Sequence, residues 1–223
     1  MVREIENAPT EGGDKPKRQV QIADCGELEG EAYEKAADKP VDPTGDSYEE
    51  FPEDQGEDIP GAEIVKIATD LKSLGNANST KDFSLALKKY QKGLRYLQEY
   101  PEPLESDPPE LGKQLSALKY ALSSNAALMC LQVTPPNYED AVKNASTALS
   151  VEGLTDVQKG KALYRRGKGF VGKKNEDEGI KDLEEASKLC STDAKIKKDL
   201  DDVKKVAAER RKKEKAQYSK FFQ

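Results

Sequence analysis

Histidine is absent from all 223 residues, and cysteine occurs only three times. Without histidine the chain lacks the commonest general base near neutral pH and the commonest metal ligand, so imidazole-centred catalysis is excluded. No cofactor or metal site is expected. Cys25, Cys130 and Cys190 are widely spaced and odd in number, which fits reduced buried thiols better than disulfides or a zinc site. A run of eighteen or more apolar residues is also lacking, as is a charged start followed by an apolar stretch. Neither a membrane span nor a secretory signal is readable, and the protein is expected in the cytoplasm or nucleus, with no membrane partner.

Charge is abundant instead. Apolar and charged residues each make up 35% of the chain, and 42 acidic against 36 basic residues leave a net charge of −6. That composition predicts one medium core plus polar flanks, and the acidic balance argues against nucleic acid as a partner. The distribution is uneven. Residues 24–60 hold fourteen Asp or Glu against two Lys, whereas residues 195–223 hold eleven Lys or Arg against five acids. With Pro40, Pro43, Pro52 and Pro60 inside it, the stretch 30–60 is predicted to be a disordered or extended acidic linker, a loosely docked surface loop being the alternative; Tyr48, Phe51 and Pro52 are the residues suited to docking on the helical domain.

From Ala62 the apolar spacing becomes helical. Ile64, Ile67, Ala68, Leu71 and Leu74 share one face, and Phe83, Ala86, Leu87, Tyr90, Leu94 and Leu97 share another. Pro101 to Pro109 interrupts, after which helices are predicted over about Leu111–Gln132 and Tyr138–Leu149. The third pair lies in Gly160 to Ala194, where Leu163, Gly167 and Phe170 precede the polar turn 173–177 and Gly179, Leu183 and Ala186 follow it. Small and bulky residues at roughly positions 4, 8, 11, 20, 24 and 27 of a unit of about 34 residues are the mark of a tetratricopeptide repeat. The predicted fold is all-α: three helical hairpins in a repeat superhelix, closed by a long helix over 194–220 whose Ile196, Leu200, Val203, Val206 and Ala207 cap the stack, and preceded by an irregular N-terminal segment. The basic run Arg210 to Lys215 is expected to project into solvent. So is the basic face Lys88, Lys89, Lys92 and Arg95, which falls on the second helix of its hairpin, the convex side.

The first helices of such hairpins line one concave groove, so side chains at matched positions converge. Lys72 and Asn76, Asn125, and Lys161 and Arg165 occupy those positions, and each i,i+4 pair shares a helix face. Three cations and two amides with no carboxylate among them suit an extended peptide ending in acid: the amides donate without adding charge, and the guanidinium fork meets a carboxylate squarely. Four or five such contacts imply roughly micromolar affinity that falls with salt.

These five positions, together with Lys161-Ala-Leu-Tyr-Arg-Arg-Gly167, resemble the two-carboxylate clamp of co-chaperones that bind the Met-Glu-Glu-Val-Asp tail of the ninety-kilodalton heat-shock chaperone. The likeness spans residues 61–220 and departs from the pattern at Asn78 and Ser79, where aromatic residues are usual, and at Gln132, where lysine is common. Residues 1–29, ending Ile22-Ala-Asp-Cys-Gly-Glu-Leu28, resemble the last helix and closing strand of a cyclophilin domain. Together they resemble the C-terminal part of the forty-kilodalton cyclophilin family. That resemblance implies three parts: 1–29 the end of a cyclophilin domain, 30–60 an acidic linker, and 61–223 a repeat domain with a capping helix. It also implies a non-catalytic adaptor for the ninety-kilodalton chaperone, with the seventy-kilodalton one as a related partner and prolyl isomerisation housed in the parent protein. The alternative is a scaffold that binds internal peptide segments.

Overall fold

In the computed structural model the described residues are Ile5, 8–13, 15–27, 29–31, 42–55 and 58–221. They fall into two compact units, Met1–Asp42 and Pro43–Gln223. In the first, a turn through Gly13 (φ 80°) brings Thr10 and Pro16 into an antiparallel bridge. Lys17 N–H donates to the Pro9 carbonyl at 2.8 Å and Glu11 N–H to the Lys15 carbonyl at 2.7 Å. Gln19 to Ala23, whose alternation is strand-like, forms no ladder and is exposed, as expected of a segment with no neighbour to pair with. Residues 32–41 of the acidic stretch lie outside the described residues.

The second unit begins with the short 3-10 helix Pro52–Gln55 and continues through α1 (Gly61–Asn78), α2 (Phe83–Glu99), α3 (Pro109–Gln132), α4 (Tyr138–Leu149), α5 (Asp156–Gly172), α6 (Glu176–Leu189) and α7 (Ala194–Phe221). Local chemistry sets the starts. Asp82 accepts from Leu85 N–H at 2.9 Å and Asn137 from Asp140 N–H at 3.1 Å. Thr155 and Gln158 cap α5 reciprocally, satisfying donors the first turn leaves open. At the end of α1, Asn78 and Ser79 turn their side chains back to the carbonyls of Leu74 and Asn76, so the residues that depart from the repeat pattern serve as a helix stop.

Each hairpin packs on the next, and α1 also touches α3 as α3 touches α5, which is the stacking of a repeat superhelix. Close crossing demands small residues: a Cβ on Gly167 would lie 3.0 Å from the Gly179 carbonyl, so α5 and α6 meet nearly backbone to backbone. The larger core cluster runs from Ile64, Ile67 and Leu71 through Tyr90 and Tyr96 to Leu115, Leu118 and Leu122. Leu163, Ala186 and Ile196 begin the cluster under α7.

Three sequence-based expectations are corrected. Of the three thiols expected to be buried only Cys130 is; Cys190 is half-buried and Cys25, in a segment with no core over it, is exposed. Ile196, Leu200 and Ala207 are buried in the cap, but Val206 is 61% exposed. At about 100° per residue, 207 falls back on the line of 196 while 206 is swung well to one side. Lys89 and Lys92 are buried rather than solvated, at 4% exposure each, because residues 43–55 cover them. Of that basic face Lys88 is exposed and Arg95 half-buried. Beyond Ala207 the described side chains of α7 are exposed, with Arg210 and Arg211 paired to Glu176 and Asp177 at the start of α6. Among the described residues no helix is long and apolar enough to cross a membrane.

Candidate peptide-binding groove

The residues singled out by spacing lie on α1, α3 and α5, the helices that touch one another along the stack. Two of them meet directly. Asn125 Nδ2 on α3 donates to Asn76 Oδ1 on α1 at 3.3 Å, and the same oxygen accepts the Tyr90 hydroxyl of α2 at 2.8 Å. Arg165 on α5 donates to the hydroxyl of Ser124, the residue beside Asn125, which ties the third helix to the second. Its guanidinium is sunk among the phenols of Tyr90, Tyr120 and Tyr164, and burial pushes its pKa down. With no accessible way to deprotonate, it stays a cation held by neutral groups. Tyr120 is anchored in turn by donating to the Gln158 carbonyl of α5 at 2.9 Å.

Lys72 and Lys161 precede Asn76 and Arg165 by one helical turn on the same faces. Lys72 is half-buried and Lys161 exposed, and among the described residues neither ammonium group has a hydrogen bond or ion pair. No hydrogen bond joins these two ammonium groups to the other three side chains.

Comparison with the remaining cations of α5 shows what sets the five apart. Arg166 forks onto both oxygens of Asp182 at 2.7 and 2.8 Å, which raises its pKa. Lys168 pairs with Asp199 at 3.1 Å and Lys159 with Glu185 at 3.1 Å. Those charges are neutralised between helices. Among the described residues none of Lys72, Lys161 or Arg165 is paired with a carboxylate, so no neighbouring acid neutralises their charge. No cluster of Cys, Asp or Glu among the described residues is arranged to hold a metal ion.

The spacing argument missed Tyr90 and Ser124. Tyr90 reads as a core residue, and its ring is indeed buried, but its hydroxyl reaches the groove. The available signal was chemical: a buried phenol requires a polar partner, and Asn76 lies on the adjoining helix.

Three hairpins stacked with their first helices in mutual contact, closed by a long terminal helix, define a tetratricopeptide-repeat protein. The fold resembles the C-terminal TPR-containing domain of a Plasmodium falciparum protein named for FK506 binding, with a TM-score of 0.61 at 24% identity over 70% of this chain and 97% of that one. No protein-family profile matches the chain. The chain is nevertheless a homologue of proteins named peptidyl-prolyl cis-trans isomerase D, which align with its whole length. It is 34% identical over 241 residues to that of Mycosarcoma maydis, and 36% identical over 232 and 229 residues to those of Cryptococcus neoformans and Kluyveromyces lactis. The chain spans 60 to 62% of the length of these relatives.

Proposed function

We propose that the groove of α1, α3 and α5 captures the acidic C-terminus of a heat-shock chaperone, a tail ending Met-Glu-Glu-Val-Asp as in the ninety-kilodalton protein. The matching acidic end of the seventy-kilodalton chaperone is a second ligand of the same chemistry. The observation that carries this reading is that Lys72, Asn76, Asn125, Lys161 and Arg165 present donors without a paired carboxylate among the described residues, while their neighbours Arg166 and Lys168 are neutralised. Lys72, Asn76 and Asn125 hold the terminal carboxylate; Lys161 and Arg165 hold the aspartate side chain. The chain then acts as a co-chaperone adaptor without chemistry of its own. In the parent protein it holds a prolyl-isomerase domain, of which residues 1–29 are the closing end, beside the client.

Calorimetric titration of the full chain with a pentapeptide ending Glu-Glu-Val-Asp tests the reading. The expected result is roughly micromolar binding that weakens with salt and is abolished when the peptide is C-terminally amidated. Equal binding of the amidated peptide makes the groove a scaffold for internal segments and removes the clamp. Prolyl-peptide turnover above background in the isolated chain removes the purely adaptor role.

A further inference from the structure

The stretch 43–55 is polar, acidic and without helical periodicity, yet it lies tightly on the side of α2 that carries Lys89, Lys92, Arg95 and Tyr96. The manner of docking is that of a peptide ligand. Three consecutive carbonyls are captured by side chains spaced i, i+3, i+4 on one helix face. Lys92 Nζ donates to the Tyr48 carbonyl at 2.7 Å, Tyr96 to that of Glu49 at 2.9 Å, and Arg95, through Nε and Nη2, to that of Glu50 at 3.1 and 3.0 Å. Main-chain capture of this kind supplies affinity and leaves selectivity to side-chain pockets.

Three side chains fill such pockets. The Asp46 carboxylate, 1% exposed, sits between Lys89 Nζ at 2.7 Å and Lys92 Nζ at 2.8 Å. The Tyr48 ring meets Tyr96 edge-on, 6.4 Å between centroids, and its hydroxyl donates to Asp70 of α1 at 2.5 Å. Phe51 lies under the Arg95 guanidinium at 4.9 Å. The carboxylate and the two aromatic rings therefore read a spacing as well as a charge.

We propose that the convex face of the first hairpin is a second peptide-recognition site, selective for an extended acidic segment of pattern Asp-x-Tyr-x-x-Phe, and that residues 43–55 are its ligand in cis. A partner segment with the same pattern enters by displacing them. The site uses α2 side chains that the groove on α1, α3 and α5 does not, so it stands whether or not that groove binds a chaperone tail. A tethered ligand on a short connection has an effective concentration of about a millimolar, so even an intrinsic dissociation constant of roughly ten micromolar keeps the site filled about a hundred to one and masks it from an added peptide.

The test vacates the site from the ligand side. A fluorescein-labelled peptide of residues 43–55 is titrated against the full chain and its D46N variant, with proteolytic nicking between residues 43 and 60 followed in parallel and helix content checked by circular dichroism. The expected results are nicking at least tenfold faster in D46N and peptide binding at least tenfold tighter to D46N than to the unaltered chain. A labelled peptide that itself carries D46N should bind neither. Equal peptide affinity for both chains, no binding to a D46N chain that is readily nicked, or nicking no faster than in the unaltered chain each overturns the proposal. If D46N loses helix content, F51S, also confined to the docked segment, takes its place with the same outcomes.

Discussion

The Tyr90 hydroxyl donates to Asn76 Oδ1 at 2.8 Å, and Asn125 Nδ2 approaches the same oxygen at 3.3 Å. With its carbonyl oxygen taken by two donors, the Asn76 amide keeps its NH2 group as its remaining polar end, the donor that the proposed binding requires. A residue on the second helix of the hairpin thus decides what a residue on the first can offer. Tyr90→Phe keeps the ring and removes only the hydroxyl. The expected outcome is a loss of about 1 kcal/mol, or roughly fivefold, in affinity for an acidic-tail peptide, with the amide free to turn its oxygen outward. Calorimetry with the acidic-tail peptide, beside circular dichroism showing an unchanged fold, checks it.

Gly75 lets that ring approach. A Cβ there would lie 2.4 Å from the Tyr90 ring, closer than atoms pack, and the ring has no free space to yield into because Tyr90 is 1% exposed. Gly75→Ala should therefore destabilise the domain by about 1 to 3 kcal/mol despite alanine's better helix propensity, read as a lower urea midpoint. It should also weaken peptide binding, since the displaced phenol no longer holds Asn76.

Asp46 gives a pH signature. Burial pulls its pKa upward, but hydrogen bonds from Lys89, Lys92 and the Tyr48 N–H, together with the Lys92 charge, hold it below the ordinary aspartate value. A carboxyl whose folded pKa is depressed adds stability above its unfolded pKa, about 3.9, and loses it as pH falls through the folded value. Asp46→Asn removes the charge that holds the segment on Lys89 and Lys92 and should cost about 2 to 3 kcal/mol at neutral pH, the docking free energy lost when the segment leaves and both ammonium groups return to water. Urea midpoints of the two proteins should stay apart above about pH 4 and converge below it. A gap that is unchanged at pH 2 would mean the charge is not what holds the segment.

The same residues mark how far the sequence could be read. The helices were legible because Ile64, Ile67, Ala68 and Leu71, and likewise Ala86, Tyr90 and Leu97, recur at helical spacing, and the repeat pattern then placed Asn76, Asn125 and Arg165 on helices that touch. Burial of Lys89 and Lys92 was not legible. Their partner Asp46 is 43 and 46 residues away and is one of many acids in its stretch, so nothing local distinguishes it. Tyr90 failed for a related reason: periodicity reports where a side chain points, whereas the role of its hydroxyl depends on a residue of another helix. Val206 shows the limit within one helix, where a single position off the stripe turns from cap to solvent.

Lys72 and Lys161 differ from Arg165 in a way that separates binding from stability. Neither ammonium group has a hydrogen bond or ion pair among the described residues, so Lys72→Ala and Lys161→Ala should shift stability by no more than about 0.5 kcal/mol. Each should still weaken acidic-tail binding about tenfold, the worth of one charged hydrogen bond, and reduce its salt dependence. Arg165→Ala should do both kinds of harm, because it deletes the bond to Ser124 and leaves a void among three tyrosines. Arg165→Lys separates these further: the stem and charge remain, but a single ammonium cannot reach Ser124 and grip a carboxylate with two parallel donors. Its affinity should lie nearer to that of the alanine variant, its thermal midpoint nearer to that of the unaltered protein. Lysine variants that bind as tightly as the original chain would leave the two ammonium groups as ordinary surface charge and move the anion site elsewhere.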